Sequence, residues 1–331
     1  MIRLSIRFAS ALALVAFSLP VPQAAAQQDV PAAPVPDSAP AAPAPAAAPT
    51  FPKPIPANFT AAVPTKETVN TFLHTSWGYD ETRIWEVWAI QKTPAEGVSK
   101  VTLLVNDKSG KQKPSVVEFF ALPDGKHIIA QNDIIPFGVH PYTEFREIAK
   151  QRAEGPYRGA AAKDLEVIEF ADFQCPHCKD AQANMEKLLV DFPKARFVFQ
   201  TFPLQSIHPQ AARAATYGYC VAKQGGSDAF FTFASAVFDG QEGLATADGA
   251  TLTLNSAVAK ASLDPAKIGE CAATPAATTA VEAMVKLASD LNINATPTLV
   301  VNGRQIPANA PYDTIKQIIL YQAKQDGVAA Q

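Results

Sequence analysis

Phe170-Ala171-Asp172-Phe173-Gln174-Cys175-Pro176-His177-Cys178-Lys179 sets a Cys-x-x-Cys pair between two different periodicities. Before it, Leu165-Glu166-Val167-Ile168-Glu169-Phe170 is an apolar run of strand length; after it, Ala181, Met185, Leu188 and Leu189 recur at helical spacing. Cys175 therefore opens a helix, and Pro176 suits its first turn, where a missing N–H costs nothing. At such an end, unpaired backbone N–H groups and the positive end of the helix dipole favour a thiolate over a thiol. The expected chemistry is thiol–disulfide exchange, with Cys175 as the attacking or attacked sulfur and Cys178, one turn later, as the resolving one.

Two other uses of a Cys-x-x-Cys fit less well. A zinc site needs a second close pair of Cys or His, whereas Cys220 and Cys271 stand far apart and His74, His127 and His140 are scattered. A purely structural bridge across two intervening residues would constrain the unfolded chain very little. No metal or organic cofactor is called for.

Glu169 falls on the strand face shared by Leu165 and Val167, in a run suited to burial. Burial would raise its pKa, so it is a candidate for relaying a proton to or from Cys178; the alternative is a strand-end glutamate that reaches solvent. Asp172 reads as a turn residue that caps local N–H groups. His177 can donate to the Cys175 thiolate or stabilise its charge, which would stabilise the reduced protein and make the disulfide a better oxidant.

Outward from this centre the 331-residue chain divides by composition. Arg3 and Arg7, the apolar run Phe8 to Leu19 and the small residues Ala24-Ala25-Ala26 read as a secretory signal over 1–26, which predicts a periplasmic protein. An uncleaved membrane anchor is the alternative. Ten of the 28 prolines fall between Pro31 and Pro56, interleaved with alanine, so 27–64 reads as a disordered linker. A net charge of −3 offers no electrostatic footing for nucleic acid.

From Thr65, a plausible helix N-cap, Val69, Phe72 and Leu73 mark a helix face. Strands over Arg83–Ile90, Lys100–Val105, Val116–Ala121 and His127–Ala130 follow, the last two flanking Pro123-Asp124-Gly125. This predicts a small α+β domain over 65–152, joined by a short Gly/Pro segment to a second domain over 160–325. In the second domain, strand, Cys-x-x-Cys helix and the strand Ala195–Phe202 make a βαβ unit. A helical insertion over about 208–275, a further helix and a strand-like run turning at Asn302-Gly303 come next, and Ile315, Ile318 and Ile319 mark a closing helix. Cys220 and Cys271 are expected to bond to one another, because unpaired thiols would not persist beside an oxidising site in an oxidising compartment. Two separately buried thiols are the alternative.

Glu-Phe-Ala-Asp-Phe-Gln-Cys-Pro-His-Cys, Phe202-Pro203, His208-Pro209-Gln210-Ala211-Ala212, the helical insertion and Ala295-Thr296-Pro297-Thr298 together resemble the thioredoxin superfamily. The likeness is to its DsbA-like branch of envelope thiol–disulfide oxidoreductases. The resemblance implies an α/β thioredoxin-like domain with Pro297 in a cis peptide bond beside Cys175; by itself the residue reads as a trans edge-strand proline. It also implies that the backbone at Thr296 and Pro297 pairs with an extended substrate peptide, and that Glu169 is the family's buried acid. Partners would be cysteine-containing envelope proteins and a membrane redox partner that recycles the disulfide. The expected activity is an oxidase. Thr296 before the proline, and Val116 to Ile129, which resembles the dimerisation domain of periplasmic isomerases, keep a homodimeric disulfide isomerase as the alternative. A redox-silent peptide-binding or chaperone module is a third.

Overall fold

The structure, a computed structural model, describes residues 51–331 apart from Asn132. The expected signal segment and the linker up to residue 50 lie outside the described residues. The end of the expected linker is ordered, which corrects its boundary at 64. Thr60 N and Ala61 N donate to Ile90 O at 3.0 and 3.1 Å, Asn58 Nδ2 donates to Trp88 O at 3.0 Å, and Ser99 Oγ donates to Val63 O at 2.6 Å. Phe59 packs on the first core, so this stretch gains apolar burial that the Ala/Pro repeat lacks.

Helix α1 (Lys66–Trp77) starts at Thr65, whose side chain accepts from Thr68 N at 3.1 Å. Then β1 (Arg83–Lys92), β2 (Ser99–Asp107), β3 (Ser115–Ala121), β4 (His127–Ala130) and β5 (Asp133–Pro136) form an antiparallel meander in chain order. Its core joins Val69, Phe72 and Leu73 of the helix to Val87, Leu103, Phe119 and Ile128 of the sheet.

The boundary at 152 and 160 also moves. Helix α2 (Thr143–Arg152) buries Phe145 and Ala149 against Ile168, Phe170, Val198 and Leu287, so it belongs to the second core. Within the expected linker segment, β6 (Tyr157–Gly159) pairs antiparallel with a strand of the second sheet.

That sheet runs in the order β10-β9-β7-β8-β6, built from β7 (Glu166–Ala171), β8 (Arg196–Thr201), β9 (Thr298–Val301) and β10 (Arg304–Pro307) with β6 at one edge. β7 and β8 are parallel, joined by α3 (Pro176–Asp191). Both strands are buried at every position, as a central strand covered on two faces must be. Between β8 and β9 lie α4 (Ala211–Asp239), α5 (Ala247–Lys260), α6 (Pro265–Ala272) and α7 (Pro275–Asp290); α8 (Tyr312–Gln325) closes the chain. The molecule is thus a small antiparallel domain followed by a thioredoxin-like α/β domain with a helical insertion. Asn302 and Gly303, at φ 45° and 89°, make the two-residue turn between β9 and β10, where both central positions need positive φ.

Arg304 ties the two sheets together. Its guanidinium donates to Thr75 O at 3.4 Å and to Ser76 O, carbonyls of the last turn of α1, and lies 5.0 Å from the Tyr79 ring. A cation at a helix C-terminus satisfies orphan carbonyls and complements the dipole.

Candidate active site

β7 delivers the Cys-x-x-Cys turn to its C-terminal end, and Cys175 is the N-cap of α3 with Pro176 at the first helical position. Both cysteines are buried free thiols, whereas Pro176 and His177 are exposed. Cys175 Sγ lies 3.8 Å from the carbonyl oxygen of Thr296, and the Thr296–Pro297 peptide is cis. The loop before β9 therefore faces the first sulfur, with Pro297 buried and the Thr296 hydroxyl enclosed.

The two sulfurs are electrostatically unlike. A hydrogen bond from the Cys178 thiol, against the cost of desolvation, pulls the Cys175 pKa down to about 5, helped by Thr296 and by the backbone N–H groups of Cys178 and His177. Burial pushes Cys178 the other way, well above the ordinary thiol range. Asp172 N–H, just past the end of β7, is aimed at Cys178 and lies 3.4 Å from its sulfur. His177 contributes to Cys175 through its peptide, and its side chain is exposed beside the cysteine pair.

Glu169 is 3 % exposed, so the solvent-reaching alternative does not describe it. Desolvation raises its pKa to about 7 even though Gln182 Nε2 donates to its Oε1 at 2.7 Å. The same Gln182 nitrogen donates to Cys178 O at 3.1 Å, so one amide links the buried acid to the peptide of the second cysteine.

Asp172 does more than cap a turn. Its carboxylate accepts from Gln174 N (2.8 Å), from Leu204 N (2.8 Å) and from His208 Nδ1 (2.7 Å), while its carbonyl accepts from Cys175 N (3.1 Å). Gln241 Nε2 donates to Phe173 O and to Cys175 O, both at 2.9 Å. The contacts with Gln174 N and Cys175 N are the local capping expected of Asp172, whereas those to Leu204, His208 and Gln241 cross 32 to 68 residues of sequence, so no local pattern signals them. Cys220 and Cys271 are bonded to each other and staple α4 to α6, with Cα atoms 6.0 Å apart and 51 residues between them in sequence.

Residues 151–320 match the family described as Thioredoxin. Disulfide bond formation protein D of Bacillus subtilis is 28 % identical over 170 residues, which are 50 % of this chain and 75 % of that one. Over 156 residues the chain is 31 % identical to Na(+)/H(+) antiporter NhaA 3 of Salinispora tropica, covering 47 % of itself and only 22 % of that protein. Among solved structures, oxidised BdbD from Bacillus subtilis is 26 % identical at a TM-score of 0.44, covering 51 % of this chain and 93 % of that one. DsbA2 from Pseudomonas aeruginosa has the same identity, TM-score and coverage.

Proposed function

We propose that this chain, which belongs to the thioredoxin family in its DsbA-like branch, is an exported oxidase that introduces disulfides into envelope proteins through Cys175 and Cys178. The observation that carries the reading is the asymmetry of the two sulfurs: a thiolate stabilised at Cys175, facing the cis-proline loop, and a buried thiol at Cys178. In the oxidised protein a substrate thiolate attacks Cys175, breaking its bond to Cys178, which leaves as a thiolate and takes up a proton. A second substrate thiolate then attacks the substrate sulfur of the mixed disulfide, and Cys175 leaves as the stable thiolate. Two electrons pass from substrate to the pair; one proton stays on Cys178 and the other goes to solvent.

Within this scheme, Glu169, titrating near 7 and joined to Cys178 through Gln182, supplies the proton that Cys178 needs. Thr296 and Pro297 present backbone to an extended substrate segment. A membrane redox partner removes the electrons. Cys178→Ser should trap mixed disulfides with envelope proteins and Cys175→Ser should form none; faster alkylation of Cys178 than of Cys175 at neutral pH would overturn the assignment.

The isomerase reading draws on the first domain, whose sheet exposes Val116, Phe120, Ile134 and Ile135. It requires two chains with sites facing one cleft, and light scattering that finds the exported chain monomeric removes it.

A further inference from the structure

The backbone of Asp172 meets both sulfur-bearing residues: its N–H points at Cys178 Sγ from 3.4 Å, and its carbonyl accepts from Cys175 N at 3.1 Å. Where that backbone lies is decided by the side chain it carries. The Asp172 carboxylate is wholly enclosed, and it accepts from Gln174 N on one oxygen and from Leu204 N and His208 Nδ1 on the other. Any turn of the side chain would strand an acceptor away from water, so the three donors together fix its placement.

Two of these donors are peptide N–H groups, and His208 supplies the one side chain among the three. Both carboxylate oxygens already accept from peptide N–H, so Nδ1 is the donor of the third bond. The imidazole, 16 % exposed, is itself held. His208 N donates to Leu204 O at 2.9 Å, its carbonyl accepts from Ala211 N at 3.1 Å, and Pro203 and Pro209 restrict the loop on either side. That loop runs along the redox turn, with Phe202 N bonded to Ala171 O and Gln210 N to Gln174 Oε1, both at 2.8 Å.

We infer that His208 is a positioning residue for the opening of the disulfide: by holding the Asp172 carboxylate it keeps the Asp172 N–H aimed at the Cys178 sulfur, where negative charge collects as that sulfur leaves. The inference rests on the oxidoreductase reading above and assigns a residue to one step of it. In that step a thiolate attacks Cys175, a new sulfur–sulfur bond forms there, and the bond to Cys178 breaks. The electron pair goes to Cys178, which then takes up a proton. Cys178 is fully buried, so water does not solvate the charge, and a fixed N–H counts for far more there than in solvent. When Cys175 later leaves from a mixed disulfide, Cys178 carries no charge and the aim of the Asp172 N–H has no part to play. The two steps therefore separate positioning from loss of structure, since a loosened turn slows both.

The test uses the full exported chain and times both steps by acid-quenched mass spectrometry. The first is the opening of the oxidised protein by reduced glutathione, in which Cys178 leaves. The second starts from a Cys178→Ser protein carrying glutathione on Cys175: dithiothreitol attacks the glutathione sulfur and Cys175 leaves. Loss of a whole donor of this kind costs about 10²–10³ in rate, so a donor left in place but free to move should cost about tenfold. His208→Ala should therefore slow the first step by about tenfold and leave the second within about twofold. His208→Asn, whose Nδ2 takes the place of Nδ1 without a charge, should restore the first step. His208→Gln fills the loop but carries its amide one bond farther out, and it gives the same comparison if the alanine variant does not fold. Equal slowing of both steps, an unaltered first step, or an asparagine variant as slow as alanine overturns the inference and leaves the oxidoreductase reading intact. An unsubstituted oxidised protein that glutathione does not open removes that reading, and this inference with it.

Discussion

Lowering the pH should silence Cys175 with a midpoint near 5, and the size of that shift sets the redox potential of the pair. A fall from about 8.5 in an unperturbed thiol to about 5 stabilises the thiolate by about 4.8 kcal/mol when both states are compared fully ionised. At pH 7 the unperturbed thiol is only slightly ionised, so the stabilisation of the reduced state there is about 2.7 kcal/mol, or about 60 mV for a two-electron couple. Relative to thioredoxin, with a cysteine pKa near 7 and a potential near −270 mV, the difference is about 2.3 kcal/mol and places this pair near −220 mV. Thiolate stabilisation alone thus makes the pair a moderate oxidant, short of the roughly −120 mV of DsbA. The assay is the rate of iodoacetamide alkylation of the reduced protein against pH, with equilibration in glutathione buffers for the potential. Above the midpoint one proton accompanies two electrons, so the potential should fall by about 30 mV per pH unit; below it, two protons do, and the slope should steepen to about 59 mV. Because the Cys178 thiol is the largest stabilising contribution, Cys178→Ala should move the alkylation midpoint upward. A midpoint above about 7.5, or a potential at or below that of thioredoxin, would refute the reasoning.

Glu169→Gln should slow resolution of mixed disulfides by about tenfold or more and erase the inflection near pH 7, read by stopped-flow mixing. The same substitution should flatten a stability profile. An acid titrating near 7 when folded but near 4.5 when unfolded favours the fold below pH 4.5 and loses that advantage as pH rises through 7, by up to about 3 kcal/mol in urea unfolding. Cys220→Ser with Cys271→Ser opens a loop spanning 51 positions and should cost about 4 kcal/mol in the chain-entropy account, measured by the same unfolding curves without reductant. Asp172→Ala leaves Gln174 N, Leu204 N and His208 without their acceptor and should destabilise the reduced protein by about 2–4 kcal/mol in thermal unfolding; a change under about 0.5 kcal/mol would show that the turn holds its shape without the carboxylate.

The redox centre was legible because its signals are local: a strand-length run, a cysteine pair, a proline at the first helical position and an apolar helix stripe all lie within 25 residues of one another. The same holds for Thr65 at the start of α1 and for the turn at Asn302 and Gly303. The elements that escaped carry too little pattern of their own. β5 is four residues, Asp-Ile-Ile-Pro, with no alternation, and β6 is three residues defined only by pairing with β8. α2 buries just Phe145 and Ala149 on an otherwise polar helix, so its apolar stripe is nearly absent until the second core supplies a surface for it. Pro297 could not be read as cis from its neighbours, since trans is the default for an isolated proline; the family resemblance supplied that expectation.

What the redox turn lacks in local support comes from the insertion. Its backbone carbonyls at Phe173 and Cys175 are held by Gln241, beyond the end of α4, and Gln174 reaches the same region by donating to Leu244 O at 3.0 Å and accepting from Gln210 N at 2.8 Å. Phe173, fully enclosed, stacks on Phe199 of β8 at 5.5 Å between ring centres and meets Phe233 edge-on at 5.7 Å. A turn anchored by its own strand alone would keep the backbone freedom that makes N–H donors imprecise; here the neighbouring helices fix the peptide planes that aim Asp172 N–H at Cys178. The Cys220–Cys271 bond lies in that same apolar cluster, tying α4 to α6 behind the aromatic rings. Loss of the staple should therefore reach the active site through packing, so its removal ought to blunt the difference in reactivity between Cys175 and Cys178 as well as lower stability.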